Sequence, residues 1–466
     1  MEKHLKSFSE RNDKAVAKSE IKDLTSGKPF KLILGFAVPM LLGFIFQQFY
    51  SMVDTIIVGK YLGVKALAAI GSTGSINFMI IGFCIGMCSG FAIPVAQKFG
   101  EGDYRGLRRF VVNAAWLSLI SSIIMAVIVC LLCRQILLWM QTPEDIIDQA
   151  YSYIFIIFAG IPATYLYNMT AGIIRSLGDS RTPVYFLLLS SIINIFLDLF
   201  TILVMKMGLE GAAYATVASQ AISGALCLLY MKRHFEILKI REDERKIDGR
   251  IVKTLYGMGL PMGLQYSITA IGSVILQASV NTLGSMAVAA VAAGSKVNLF
   301  FCCPFDALGG TMATYAGQNV GAGKLDRIKE GLKSASFIGC VYSLTAFLFL
   351  LFFGQEISLL FVDAGEVEII SQVAMFLIIN SAFYIPLVFV NVVRFTIQGM
   401  GFSTFAILAG VFEMVARGWV GLVMVPMFGY TAACFGSPLA WILADIFLIP
   451  AFCYCLKSMK VKFGNR

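Results

Sequence analysis

The chain has 466 residues, 58% hydrophobic and 14% charged, with a mean hydropathy of +0.79 and a formal net charge of +9. Water-soluble domains run nearer to about 45–50% apolar and about 25% charged. That gap excludes an ordinary cytosolic enzyme, a secreted disulfide scaffold and a disordered chain.

Residues 1–28 are polar and lysine-rich, with no apolar core of signal-peptide length, and read as a tail. A helix that crosses a bilayer needs about 20 apolar residues. Twelve such runs follow. The first six cover 31–57, 67–96, 110–133, 148–174, 183–205 and 211–231. After a charged stretch come 253–281, 287–317, 334–353, 367–397, 403–425 and 430–456. The predicted fold is an all-α polytopic membrane protein, with twelve transmembrane helices in two pseudo-symmetric six-helix bundles. Its expected parts are a tail over 1–30, an amino-terminal lobe over 31–231, a linker over 232–252, a carboxy-terminal lobe over 253–456 and a tail over 457–466.

An even number of spans puts both ends on one side. Lys and Arg total 31 in the loops and tails on that side, Arg394 counted among them, and 4 on the other. By the positive-inside rule the termini are cytoplasmic and the chain belongs in the cell membrane. The positive charge thus reflects topology beside anionic lipid, and nucleic acid is not an expected partner.

The sequence repeats at an offset of about 221. Leu62-Gly63 returns as Leu283-Gly284, and Gln97-x-x-Gly100-x-Gly102 returns as Gln318-x-x-Gly321-x-Gly323. Pro39 pairs with Pro261 and Asn168 with Asn391. Six spans per half give both halves the same orientation, a parallel repeat about an axis along the membrane normal. Two such bundles suit a rocking transporter, and a duplicated six-span channel is the competing reading. The prolines at 39, 261, 162 and 386 fall where bends would serve such a motion.

These repeated pieces resemble the multidrug and toxin extrusion (MATE) transporters. The resemblance rests on Pro39, Gln47-Gln48, Val53-Asp54 and Gly59-x-x-Leu62-Gly63, on the two Gln-x-x-Gly-x-Gly elements, and on Arg175-Ser-Leu-Gly-Asp-Ser-Arg-Thr-Pro183. It implies two six-helix lobes that export small organic, often cationic, compounds in exchange for inward H⁺ or Na⁺. It implies no cofactor and no enzymatic activity, and a monomer among membrane lipids is expected.

A charge near the bilayer centre costs about 2.5–3.5 kcal/mol on insertion scales, so intramembrane ionisable groups are functional candidates. Gln47, Tyr50, Ser51 and Asp54 form one polar stripe on the first span. Asn194 and Asp198 share a face of the fifth, and Thr216 lies in the sixth with Gln220 one turn on. Two carboxylates, an amide and a hydroxyl can share a proton or coordinate a hard cation such as Na⁺. The same residues could instead only glue helices together. The resemblance assigns cation coupling to Asp54, Asn194, Asp198 and Thr216, with Tyr153 nearby.

In the second half, Glu413 and Arg417 stand at i, i+4 in the eleventh span, as an ion pair or as cavity or gating groups. Asp306 and Lys296 in the eighth span are ten positions apart, on different faces. Asp306 is a candidate for the cavity and Lys296 for structure. The Na⁺-coupling glutamate that some family members carry in span seven is missing from Gln265–Ala270, which favours coupling through the first lobe.

The segment Gly321-Ala-Gly-Lys324 fails as a phosphate-binding loop, because Leu325 follows and the first glycine is missing. The two histidines, His4 and His234, both lie in charged stretches, so no nucleophile–base set is available. Eleven cysteines, mostly within apolar runs, read as small apolar residues. An ion gradient is the remaining energy source. Export of a lipid-linked or amphiphilic metabolite, as by a flippase, is the alternative function.

Overall fold

The computed structural model describes residues 23–359 and 365–464. Residues 1–22 of the predicted tail over 1–30, His4 included, and the last two residues lie outside the described part. Ten helices are long and apolar enough to cross a bilayer, and there are twelve spans if each of two bent pairs counts as one. The described residues contain no strand. Much apolar surface faces outward. Leu131, Phe352 and Leu422 are 79%, 70% and 69% exposed, as a lipid-facing surface requires and a water-facing one does not.

The helices of the first half are α1 (Pro29–Leu62), α2 (Val64–Glu101), α3 (Tyr104–Trp139), α4 (Ile147–Ala159), α5 (Ile161–Ser176), α6 (Arg181–Leu199) and α7 (Gly208–His234). Those of the second are α8 (Gly249–Asn281), α9 (Ser285–Gly321), α10 (Leu325–Ser358), α11 (Val367–Ala382), α12 (Tyr384–Gly399), α13 (Thr404–Trp419), α14 (Val425–Phe428), α15 (Tyr430–Cys434) and α16 (Gly436–Gly464).

The repeat extends to irregularities. The α4/α5 pair bends by 43° just before Pro162, and the α11/α12 pair by 51° just before Pro386. In contrast, α1 and α8 continue through Pro39 and Pro261. A π turn at Phe200–Val204 follows α6, and one at Val420–Met424 follows α13. Such turns re-aim the side chains beside them and occur often at functional positions.

By contact the chain divides into two compact units. The described residues of Met1–Ser26, Leu42–Gly263 and Gly317–Ala322 make the first, and Gly27–Leu41, Leu264–Ala316 and Gly323–Arg466 the second. In the first, α2 packs on α5 and α3, and α7 on α5, α6 and α4. In the second, α16 packs on α13 and α12, and α10 on α11 and α12.

Within the first unit the repeated Gln-x-x-Gly-x-Gly elements meet. A Cβ on Gly100 would collide with the Gln318 carbonyl, and a Cβ on Gly321 with the Gln97 carbonyl, so each first glycine permits the other backbone's close approach. The second glycines, Gly102 and Gly323, have φ of 72° and 70°. That is the left-handed geometry that ends a helix. Gln318 is fully buried and acts as a staple. Its Nε2 donates to the Ser176 carbonyl at 2.8 Å, and its Oε1 accepts from Leu24 N at 3.0 Å.

The charged stretch after α7 is docked against α3. Arg108 donates from Nε and Nη2 to the two oxygens of Glu244 at 2.7 and 2.8 Å, a buried two-pronged pair. Arg105 reaches Asp243 at 2.6 Å and Arg109 reaches Asp248 at 2.7 Å. Asn113 Oδ1 accepts from Asp248 N at 3.0 Å. Burial alone would push the Glu244 carboxyl up. The Arg108 guanidinium and the Arg241 backbone N–H outweigh it and hold the group below its usual range.

Candidate functional site

The intramembrane acids of the first unit converge. Tyr50 and Asp54 come from α1, Tyr153 from α4, and Asn194 and Asp198 from the last turns of α6. Asn194 and Asp198 stack at i, i+4, with 1% and 0% exposure. The π turn begins two residues beyond Asp198. The Asp54 and Asp198 carboxyls are electrostatic neighbours, and the Tyr50 and Tyr153 phenols lie in the field of both.

The distinguishing feature is what these groups lack. Both Asp198 oxygens, both polar atoms of the Asn194 amide, and Asp54 Oδ1 are buried without a hydrogen-bond partner among the described residues. An unpaired buried charge is costly. Two adjacent carboxylates cannot both stay ionised unless a cation joins them, and otherwise one must hold a proton. The donor set is two carboxylates and an amide oxygen, which suits a hard cation.

No hydrogen bond joins Gln47 or Thr216 to this set among the described residues. Gln47 is half-buried one turn before Ser51 on α1, and Thr216 is half-buried on α7, which packs along α6. Gln220 is held elsewhere, accepting from the Thr164 hydroxyl at 2.7 Å.

The second unit holds a different cluster. Glu413 and Arg417 pair across one turn of α13 at 3.4 Å, and Arg394 of α12 donates to the other Glu413 oxygen. Counting Arg394 among the loop charges is therefore corrected: it is 6% exposed and ion-paired inside the unit. Asp445 on α16, a group the sequence reading passed over, is also buried, and Arg394 and Glu413 both face it. A lone acid inside an apolar run was the available signal. Gln398 donates to Gln265 at 2.7 Å, so the acid-free span-seven position is filled by an amide pair. Asp306 is exposed on α9, and no ion pair joins it to Lys296. All eleven cysteines are free.

The MatE family model matches residues 39–200 and 261–423, one copy in each half. The chain belongs to the MATE family. Its members are transporters, and the fold is that of a multi-pass membrane transporter. The chain is 30% identical over 338 residues to the probable multidrug resistance protein YoeA of Bacillus subtilis, covering 71% of this chain and 73% of that one. It is 24% identical over 371 residues to a FAD transporter of Shewanella oneidensis, covering 77% and 79%. A solved outward-facing multidrug resistance MATE transporter superposes with a TM-score of 0.88 at 21% identity, covering 94% of this chain and 98% of the other. At that identity the superposition speaks for the shared fold alone.

Proposed function

We propose that this MATE transporter is a secondary antiporter that exports organic, often cationic, compounds in exchange for inward H⁺ or Na⁺. The carrying observation is the buried, unpartnered Asp54–Asp198–Asn194 set. Asp54 and Asp198 hold the coupling ion, Asn194 supplies its amide oxygen, and Thr216 on the neighbouring helix is the fourth group. Loading an ion cancels negative charge in the first unit, so a cationic cargo and the coupling ion compete for the same field. That competition is the exchange. Tyr50, Tyr153 and Gln47 line the approach to it, while Asp306 is an accessible carboxylate for a cationic cargo. Glu413 and Arg417 act in gating. The protein works as a monomer in the cell membrane with both termini cytoplasmic, on the charge bias of the sequence, 30 to 4 once Arg394 is set aside.

The energetics are adequate. One proton entering across about 100 mV and one pH unit releases about 3.7 kcal/mol, enough for a roughly 500-fold gradient of a neutral solute. A monovalent cation leaving against the same potential keeps about 1.4 kcal/mol, or tenfold. The test is Asp54→Asn in everted vesicles. Dye accumulation should disappear while the protein still inserts, and undiminished accumulation rejects the site.

Export of an amphiphilic metabolite is the second reading, supported by the relative named as a FAD transporter. Competition between flavin nucleotides and ethidium for efflux separates the two.

A further inference from the structure

The second unit contains a charge arrangement that the first-unit site does not use. Arg394 and Arg417 both point at Glu413, one to each oxygen, so Glu413 is satisfied as a carboxylate. Two guanidinium groups against one carboxylate leave a surplus positive charge in a buried place. Asp445, 8% exposed on α16, is the group that can cancel it. Two polar atoms in this cluster, Asp445 Oδ1 and Arg394 Nε, are buried without a hydrogen-bond partner among the described residues. An acid so placed carries a cost in either protonation state. Ionised, it neutralises the cluster but leaves an oxygen with no donor. Protonated, it sheds its own desolvation cost and returns the surplus charge to the arginines.

We propose that Asp445 is a second proton-binding carboxyl, loaded and emptied against the fixed Arg394–Glu413–Arg417 array. Ionised, the four side chains sum to zero; with the proton bound they sum to +1. Proton arrival therefore makes the interior of this unit positive, which opposes a cationic cargo there and favours its release. The groups that set the balance come from each helix packed on α16. Arg394 of α12 and Glu413 of α13 are the charged groups whose field acts on Asp445, and Arg394 also acts on Asp306 of α9. From the lighter neighbours, α15 offers Tyr430 and Cys434, and α11 only Glu368 in its first turn. The charges of α10 run from Asp326 to Lys333 in its first three turns, with Glu356 in its last.

The inference does not need the first unit to be the coupling site, and the experiment keeps the two apart. Full-length protein carrying Asp54→Asn and Asp198→Asn is reconstituted in lipid, and infrared difference spectra are recorded from about pH 5 to about pH 9. A protonated-carboxyl C=O band should titrate in this background and vanish when Asp445→Asn is added. Asp306 is present in both samples and cancels. Asp445→Glu should keep a band at a shifted frequency and midpoint, and it carries the test if Asp445→Asn does not insert. A titrating carboxyl signal that Asp445→Asn leaves unchanged, a background with no titrating band, or an Asp445→Glu spectrum identical to the background overturns the proposal.

Discussion

Glu244→Gln keeps the shape of the side chain but removes the charge facing Arg108, which stays buried against α3. The side chains of Arg108 and Glu244 are 6% and 1% exposed. Stripping one partner from a buried pair costs about 3–5 kcal/mol, mostly because the other charge is left unpaired. At about 1.4 kcal/mol per factor of ten, the undocked population of the segment rises roughly 10²- to 10³-fold or slightly more. The neighbouring Arg105–Asp243 pair is more than half exposed on both sides, so Asp243→Asn should cost at most about 1 kcal/mol, or about fivefold. Trypsin reads the difference, because Lys239, Arg241, Arg245 and Lys246 all lie in the docked segment. While undocking is fast relative to cleavage, the cleavage rate follows the open population. Glu244→Gln should thus be cut far faster than wild type, with Asp243→Asn close to wild type. Equal rates for the two variants would show that the buried pair does not hold the segment, and the reasoning from burial fails.

Gly100→Ala places a methyl against the Gln318 carbonyl, and backbone cannot step aside as a side chain can. A loss of about 1–3 kcal/mol is expected, read as a lower unfolding temperature in detergent. Gln318→Ala removes the hydrogen bonds from Leu24 N and to the Ser176 carbonyl, and should cost about 1–3 kcal/mol in the same assay. Asp103 caps α3 by accepting from Gly106 N at 2.8 Å and binds Lys98 at 2.9 Å, so Asp103→Ala should cost about 0.5–2 kcal/mol. Burial pushes Asp103 up, but Lys98 and the Gly106 N–H hold it below its ordinary value; backbone N–H groups do the same for Asp248. With Glu244, these acids stabilise the docked linker and the start of α3 fully above the ordinary carboxylate range, and that stability fades as pH falls through their lowered values. Hydrogen exchange across 236–248 should therefore stay slow at neutral pH and accelerate only in acid.

The spans were legible because bilayer thickness imposes a length and an apolar run on each helix. The repeat was legible because glycines at the α2–α9 crossing and at the helix ends tolerate no side chain, so Gln97-x-x-Gly-x-Gly and Gln318-x-x-Gly-x-Gly carry the same demand. Asp54, Asn194 and Asp198 stood out because charge and amide are rare in such runs. Arg394 was misplaced because it lies near the end of its run, where a loop and a last buried turn look alike in one dimension. Its partner Glu413 is 19 residues away, so no i, i+4 spacing announces the pair. Asp445 sits alone between aromatic and aliphatic residues, and its importance depends on three helices meeting. The docked linker was read only as charge, since the pairing of Arg108 with Glu244 bridges 136 positions.

The most direct measurement is solute flux in proteoliposomes, with a pH gradient and a Na⁺ gradient imposed one at a time. The account predicts that at least one gradient drives wild-type flux, and that neither drives it once Asp54 and Asp198 are both replaced by Asn. Flux that ignores both gradients, or that persists unchanged in the double variant, contradicts it.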